Sequence, residues 1–347
     1  MGNLSSEYFV IGDYENAAKY AESALKIDAD SAAWYENYST ALLALSRVDE
    51  AEKSLNEAFS RKLDDPALHA NLYAVAFARG DSALMEQQLR WAEGKPNGED
   101  SILAAQSDTE AYYGRLKKAR EYTQRAVESA KKADLPESAA IWEVEAGMRE
   151  VMFGYPEEAK KHTEAALQYA PESKDVRALA SFVYARVGDD QKSQRILDDL
   201  RALYVSNMEI QKAWLPVVQA QMNLRKKRYG DVVKGLEGVT PYEKGQLTGN
   251  LSDSCMIPAF IRGEAELGAK NGPAALGEFQ KFSANAGVVG SCWSAPLGKL
   301  GEARARALMG PASSAKEAYG KFFALWKDAD ADIPVLKQAR TEAEKLH

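Results

Sequence analysis

Apolar positions along this chain fall at three- and four-residue steps in short blocks, and the blocks return every 34 residues. Ala17, Ala51, Met85 and Ala119 keep that spacing, as do Ala24, Ala58, Ala92 and Ala126, and as do Gly12, Ser46, Gly80 and Gly114. Within one block Ala17, Tyr20, Ala21, Ala24 and Leu25 share a helix face. Each helix spans about a dozen residues, a length marginal in water on its own. Pairs of helices must therefore bury their faces against the next pair, so the pattern predicts an all-α solenoid.

The register predicts about nine helix pairs, with second helices beginning near Tyr14, Val48, Asp81, Leu116, Tyr155, Asp189, Tyr229, Pro273 and Pro311. The step from Ala119 to Ala159 is 40 residues and that from Ser193 to Val232 is 39, so the intervening first helices or loops are longer. The register is loosest around 205–260. Residues 237–256, with Gly238, Pro241, Gly245 and Gly249, read as an irregular loop or hinge, and 286–298 as a second irregular stretch. The chain then divides into repeats one to seven (1–236), the loop, repeats eight and nine (257–333) and a capping helix (334–347). Asp328, Asp330 and Asp332 before Pro334 read as the start of that last helix.

Composition supports an array over several compact domains. A hydrophobic content of 46% is enough for a continuous core, while 12 Pro and 24 Gly are too few for a β-sandwich or a disordered chain of 347 residues. No apolar run reaches about 18 residues, so no membrane insertion is expected, and no basic start precedes an apolar stretch as in a secretory signal. The chain is expected to be soluble, cytoplasmic or periplasmic. Cys255 and Cys292 are too few for a disulfide framework and lack zinc-site spacing, so they read as small core residues. The net charge of -7 is uneven: residues 1–113 carry -11 and the rest +4. An acidic first third argues against nucleic acid, which needs a continuous basic track.

Gly12-Asp13-Tyr14 followed by Ala17, Ala24 and Leu25 resembles the turn and second helix of a tetratricopeptide repeat, as do Gly80-Asp81 with Ala92 and Gly188-Asp189 with Leu200. The resemblance implies antiparallel helices A and B in a right-handed superhelix. Gly147 and Gly263 would hold the small position of helix A, Ala159 and Ala166 those of helix B, and Pro171 would close its repeat. It further implies that helix A lines a concave groove where a peptide or partner protein binds. The groove positions fall on Glu36, Asn37, Thr40, Asn71, Phe77, Asp108, Tyr112, Glu145 and Met148, then Phe182, Arg186, Trp214, Gln221, Arg225, Phe260, Glu264 and Arg304. Family members that clamp a partner's terminal carboxylate add lysines to such asparagines; here Asn37 and Asn71 lack them. A groove acidic at Glu36 and basic at Arg186, Arg225 and Arg304 would orient a charged peptide. Phe77, Phe182 and Trp214 serve equally well as packing between repeats.

The ending Trp326-Lys327-Asp328-Ala329-Asp330, Ile333-Pro334 and Leu336-Lys337-Gln338-Ala339 resembles the C-terminal ends of repeat regions attached to bacterial serine/threonine kinases and winged-helix regulators. That implies a regulatory fragment of a larger signalling protein, with a kinase or regulator domain upstream. A start about eleven residues before Gly12 reads the same way, and explains the Met1-Gly2/Ser6 match to a myristoylation signal better than lipidation does.

Chemistry is sparse. The chain has no kinase glycine-rich loop or catalytic loop. His69, His162 and His347 have no nucleophile or acid placed beside them, and Arg225-Lys226-Lys227-Arg228 reads as a solvated helix end. Asp328, Asp330 and Asp332 lack the glycine and distal glutamate of a calcium loop. The expected function is a non-catalytic interaction scaffold with no cofactor and no metal.

Overall fold

A computed structural model describes residues 2–246 and 254–346. Among these the secondary structure is helical throughout, in nine antiparallel hairpins and a final helix. The first four hairpins are Gly2–Ile11 (α1) with Tyr14–Leu25 (α2), Ala32–Ala44 (α3) with Val48–Ser60 (α4), Pro66–Arg79 (α5) with Ser82–Ala92 (α6), and Glu99–Tyr112 (α7) with Leu116–Lys132 (α8). Pro136–Phe153 (α9) pairs with Pro156–Tyr169 (α10), and Lys174–Val187 (α11) with Asp190–Leu203 (α12). Leu215–Arg225 (α13) pairs with Tyr229–Leu236 (α14), Ile257–Gly268 (α15) with Gly272–Ala284 (α16), and, after the short Ala286–Val289 (α17), Ser294–Met309 (α18) with Ala312–Leu325 (α19). Pro334–Glu344 (α20) ends the array. No helix among the described residues is long and apolar enough to cross a membrane.

The Gly-Asp turns show how sequence sets each hairpin. Gly80 ends α5 in the left-handed region at φ 68°, which an L side chain enters only with strain, and Asp81 then accepts from Leu84 N at 3.0 Å to cap α6. Asp13 and Asp189 cap α2 and α12 in the same way. Ser46, in the same 34-residue series as Gly12 and Gly80, adopts the same conformation at φ 59°. Helices A and B then meet at their small residues. Ser5 Oγ donates to Ala17 O at 3.0 Å and Ser107 Oγ to Ala119 O at 2.7 Å, while a Cβ on Gly147 would fall 2.9 Å from Thr163 Oγ1 and 3.1 Å from Ala159 O. Repeat three is the exception: Tyr73 fills the small position and reaches forward to Gln106 and Thr109 on α7. Apolar packing there separates into two small clusters apart from the main core.

The long spacings have local causes. Both α8, with 17 residues, and α9, with 18, are longer than their neighbours. The seventh A helix is extended upstream by a π-helical stretch, Glu209–Trp214, just before Pro216. Proline has no N–H to donate, and a widened turn absorbs the missing bond. The expected loop at 237–256 opens with a 3₁₀ turn, Glu237–Tyr242; 247–253 lie outside the described residues. Within 286–298, expected to be irregular, α17 and the first turns of α18 are helical.

Two expectations are corrected. Cys255 and Cys292 form a disulfide, since the antiparallel packing of repeat eight brings their Cα atoms to 5.4 Å across 37 residues of sequence. Asp330 and Asp332 do not cap α20. Asp330 Oδ2 accepts from Lys117 N at 2.8 Å and so caps α8, Asp332 pairs with Lys117, and α20 starts after Ile333 without a side-chain cap.

These contacts mean that the superhelix closes on itself. Trp326 Nε1 donates to Tyr112 O at 2.9 Å, and a Cβ on Gly114 would fall 2.6 Å from Ala329 Cβ. At the other side of the turn, Tyr14 Oη donates to Lys244 O at 2.6 Å and Gln246 N to Phe9 O at 3.0 Å. Partners are thus 213 to 237 residues apart, roughly six or seven repeats of 34. The C-terminal residues Trp326, Ala329, Asp330 and Asp332 are thus the docking contacts of this closure.

Candidate functional site

Because successive turns touch, the concave side is a cavity of about 630 Å3 rather than an open channel. One wall comes from A helices of repeats two to six: Thr40 on α3, Asn71 and Phe77 on α5, Asp108 and Tyr112 on α7, Glu145 and Met148 on α9, and Leu179 on α11. The opposite wall comes from the C-terminal third: Gly245, Ser254–Ile257, Ala286, Gly287 and Gly290–Trp293, tied by the Cys255–Cys292 disulfide. Eight of the expected groove positions, Thr40, Asn71, Phe77, Asp108, Tyr112, Glu145, Met148 and Trp214, are brought together here.

Exposure grades the lining from mouth to floor. Ser46, Ala78, Arg79 and Gly80, at the A–B turns of repeats two and three, are exposed and mark the mouth. Just inside, the rings of Phe77 and Tyr112 meet edge to face at 5.1 Å, and Tyr113 stands 5.0 Å from Tyr112. The floor is formed by Trp142, Met148, Leu179, Trp214, Met256 and Trp293, all buried.

Most polar groups of the lining already have partners in the chain. Asn71 Nδ2 donates to Glu36 O, Ser39 Oγ and Thr40 Oγ1 at 3.0, 2.8 and 2.9 Å, locking α5 to α3. Trp142 Nε1 donates to Asp100 Oδ2 at 3.0 Å. Arg149 pairs with Asp108 and donates to Ser107 Oγ at 3.0 Å and Thr123 Oγ1 at 2.7 Å. Burial pushes the Asp108 carboxyl above the usual carboxylate range, against the pull of Arg149. Burial likewise raises the Tyr112 hydroxyl.

The remaining expected positions lie outside the cavity. Glu36 and Asn37 are half-buried on α3, and burial, with Asp65 nearby, raises the Glu36 carboxyl. Phe182 and Phe260 pack in the core. The arginines differ from the expected row of solvated cations. Arg186 is held bidentate by Glu264 at 2.5 and 2.6 Å and donates to Gln221 at 3.2 Å, which consumes three expected groove residues in one half-buried contact between repeats. Arg304 is bidentate to Glu342 on α20, and Arg225 meets Asp190 at 3.1 Å. Each of these three cations finds a carboxylate of the chain itself.

The histidines also have internal contacts. His69 stacks on Trp91 at 3.5 Å between ring centroids and bonds Gln88 and Asp64, and His162 Nδ1 bonds Glu143 at 2.5 Å. What sequence reasoning missed is the far wall of the cavity. Its legible traces were the irregular stretches 237–256 and 286–298 and the cysteine in each, 37 residues apart.

No curated protein matches this chain at a significant level. Among solved structures it is similar to the crystal structure of yeast Tom70, at 13% identity over 99% of this chain and 87% of that one, with a TM-score of 0.42. It is also similar to the APC/C hetero-tetramer Cut9–Hcn1, at 14% identity over 99% and 69% of the two chains with a TM-score of 0.41, and to the TPR domain of P58(IPK), at 14% over 99% and 96% with a TM-score of 0.29. Residues 12–75, from the first A–B turn into α5, match the tetratricopeptide repeat family.

Proposed function

We propose that the chain is a non-catalytic scaffold that holds a segment of a protein partner on its concave side, through an apolar anchor entering the mouth of the cavity. Stacked helical repeats of this kind present concave surfaces for protein contact. The observation that carries the reading is the edge-to-face pair Phe77–Tyr112 set directly behind the exposed turn Ala78–Gly80. Buried aromatic anchors supply most of the energy in such contacts. Because the inner arginines are engaged by Glu264, Asp190 and Glu342, binding should depend weakly on salt. A displayed peptide library panned on the purified chain should enrich aromatic or aliphatic anchors, and Phe77→Ala with Tyr112→Ala should weaken the selected peptides at least tenfold. Peptides that bind the double variant equally well would place the contact elsewhere.

The disulfide favours an oxidising compartment such as a periplasm over a cytosol. The finer reading, a regulatory region of a larger signalling protein, rests on the resemblance of the C-terminal end and is tested by the coding sequence upstream of Met1.

A further inference from the structure

We infer that the floor of the cavity is a binding site for a small, non-anionic, ring-bearing apolar molecule. This goes beyond the contact with a partner segment at the mouth. Volume is the first argument: about 630 Å3 lies within the range of sites that enclose drug-sized molecules. The second is chemistry. Trp142, Met148, Leu179, Trp214, Met256 and Trp293 present rings and aliphatic groups, and each is at most 9% exposed. Water held in a cavity needs two to four polar partners, whereas cavities walled by apolar side chains stay dry and take apolar guests.

The third argument excludes an anionic guest. The charged members of the lining are Arg79, Asp108, Glu145 and Arg149. Arg79 sits at the mouth on Asp49 and Glu52, and Arg149 is spent on Asp108, Ser107 and Thr123, so an anion meets no unengaged guanidinium. A buried charge without a partner is strongly disfavoured. The fourth is pre-organisation. Ser254 N donates to Val288 O at 2.9 Å, the disulfide joins Cys255 to Cys292, and α17 rests on α3 with the Cα of Gly287 so close that a Cβ would fall 2.1 Å from Leu43 O. The wall is therefore built before any ligand arrives, which lowers the entropic cost of binding.

The test uses the purified, oxidised full chain and the neutral dye N-phenyl-1-naphthylamine, which fluoresces in apolar surroundings. Excitation of tryptophan should give energy transfer to the dye, because three indoles line the floor, and the titration should saturate at one dye per chain. Ala74→Phe and Ala105→Phe add a ring at half-buried lining positions and should each weaken the dye at least tenfold with unchanged far-ultraviolet circular dichroism. Two variants guard against one failing to fold. Leu203→Ser with Val205→Ser, which removes exposed apolar residues far from the lining, should leave the affinity within about threefold. The sulfonated analogue 8-anilino-1-naphthalenesulfonate should bind at least tenfold more weakly than the neutral dye. Non-saturating binding, equal affinity in both filled variants, loss on the Leu203/Val205 change, or equal affinity for the sulfonate would each overturn the assignment. Neither arm uses a peptide, so the result stands apart from the partner reading.

Discussion

At Glu36 a single carboxyl carries a cost that pH can expose. Burial and the neighbouring Asp65 raise its pKa in the folded chain above the ordinary value. A raised carboxyl pKa means that the folded state binds the proton more tightly than the unfolded one. The associated stability is present below the unfolded value, about 4.3, and is lost as pH rises through the folded one. Glu36→Gln removes the ionisation and should therefore raise the melting temperature at pH 7, a gain that fades below about pH 4. A gain of equal size at both pH values would instead assign the effect to packing. Arg186 shows the same principle with the opposite outcome: half-buried, it keeps its charge because Glu264 meets it in two bonds. The sequence assigns Arg186 to a helix face but not to a partner: whether it meets a ligand or a carboxylate depends on Glu264 of α15, 78 residues later.

Among the elements, repeat eight is the one held covalently. The disulfide joins the approach to α15 with the turn before α18 and so encloses the α15–α16 hairpin. Closing a loop of 37 residues should contribute about 3–4 kcal/mol by restricting the unfolded chain. Reduction should lower the urea midpoint correspondingly while leaving helix content unchanged, because the hairpin's own contacts persist. Coincident urea curves for oxidised and reduced chain would show that the bridge contributes nothing to folding. Element boundaries were legible because they are local: Gly-Asp turns, small residues at Ala17 and Ala51, and proline at the starts of α5 and α10 act within a few residues of themselves. The disulfide was not, since two cysteines look alike whether or not folding aligns them.

For the whole molecule the deciding feature is closure of the superhelix, in which α17 seats on the turn of repeat two through Gly287. Gly287→Val places a side chain where Leu43 O stands. It should cost about 1–3 kcal/mol, and should also raise the radius of gyration in small-angle scattering as the two turns part. An unchanged radius would mean that the other contacts, Trp326 with Tyr112 and Tyr14 with Lys244, hold the closure without it. By itself the sequence determined that the chain is a helical array and where its hairpins turn, because a period of 34 and a 3.6-residue helix are properties of neighbours in the chain. Only the tertiary structure decided that the inward face bounds a cavity with one mouth and a far wall instead of an open groove. Small rotations between repeats add over six or seven hairpins before Gly114 meets Trp326, and such a sum is not written at any one position.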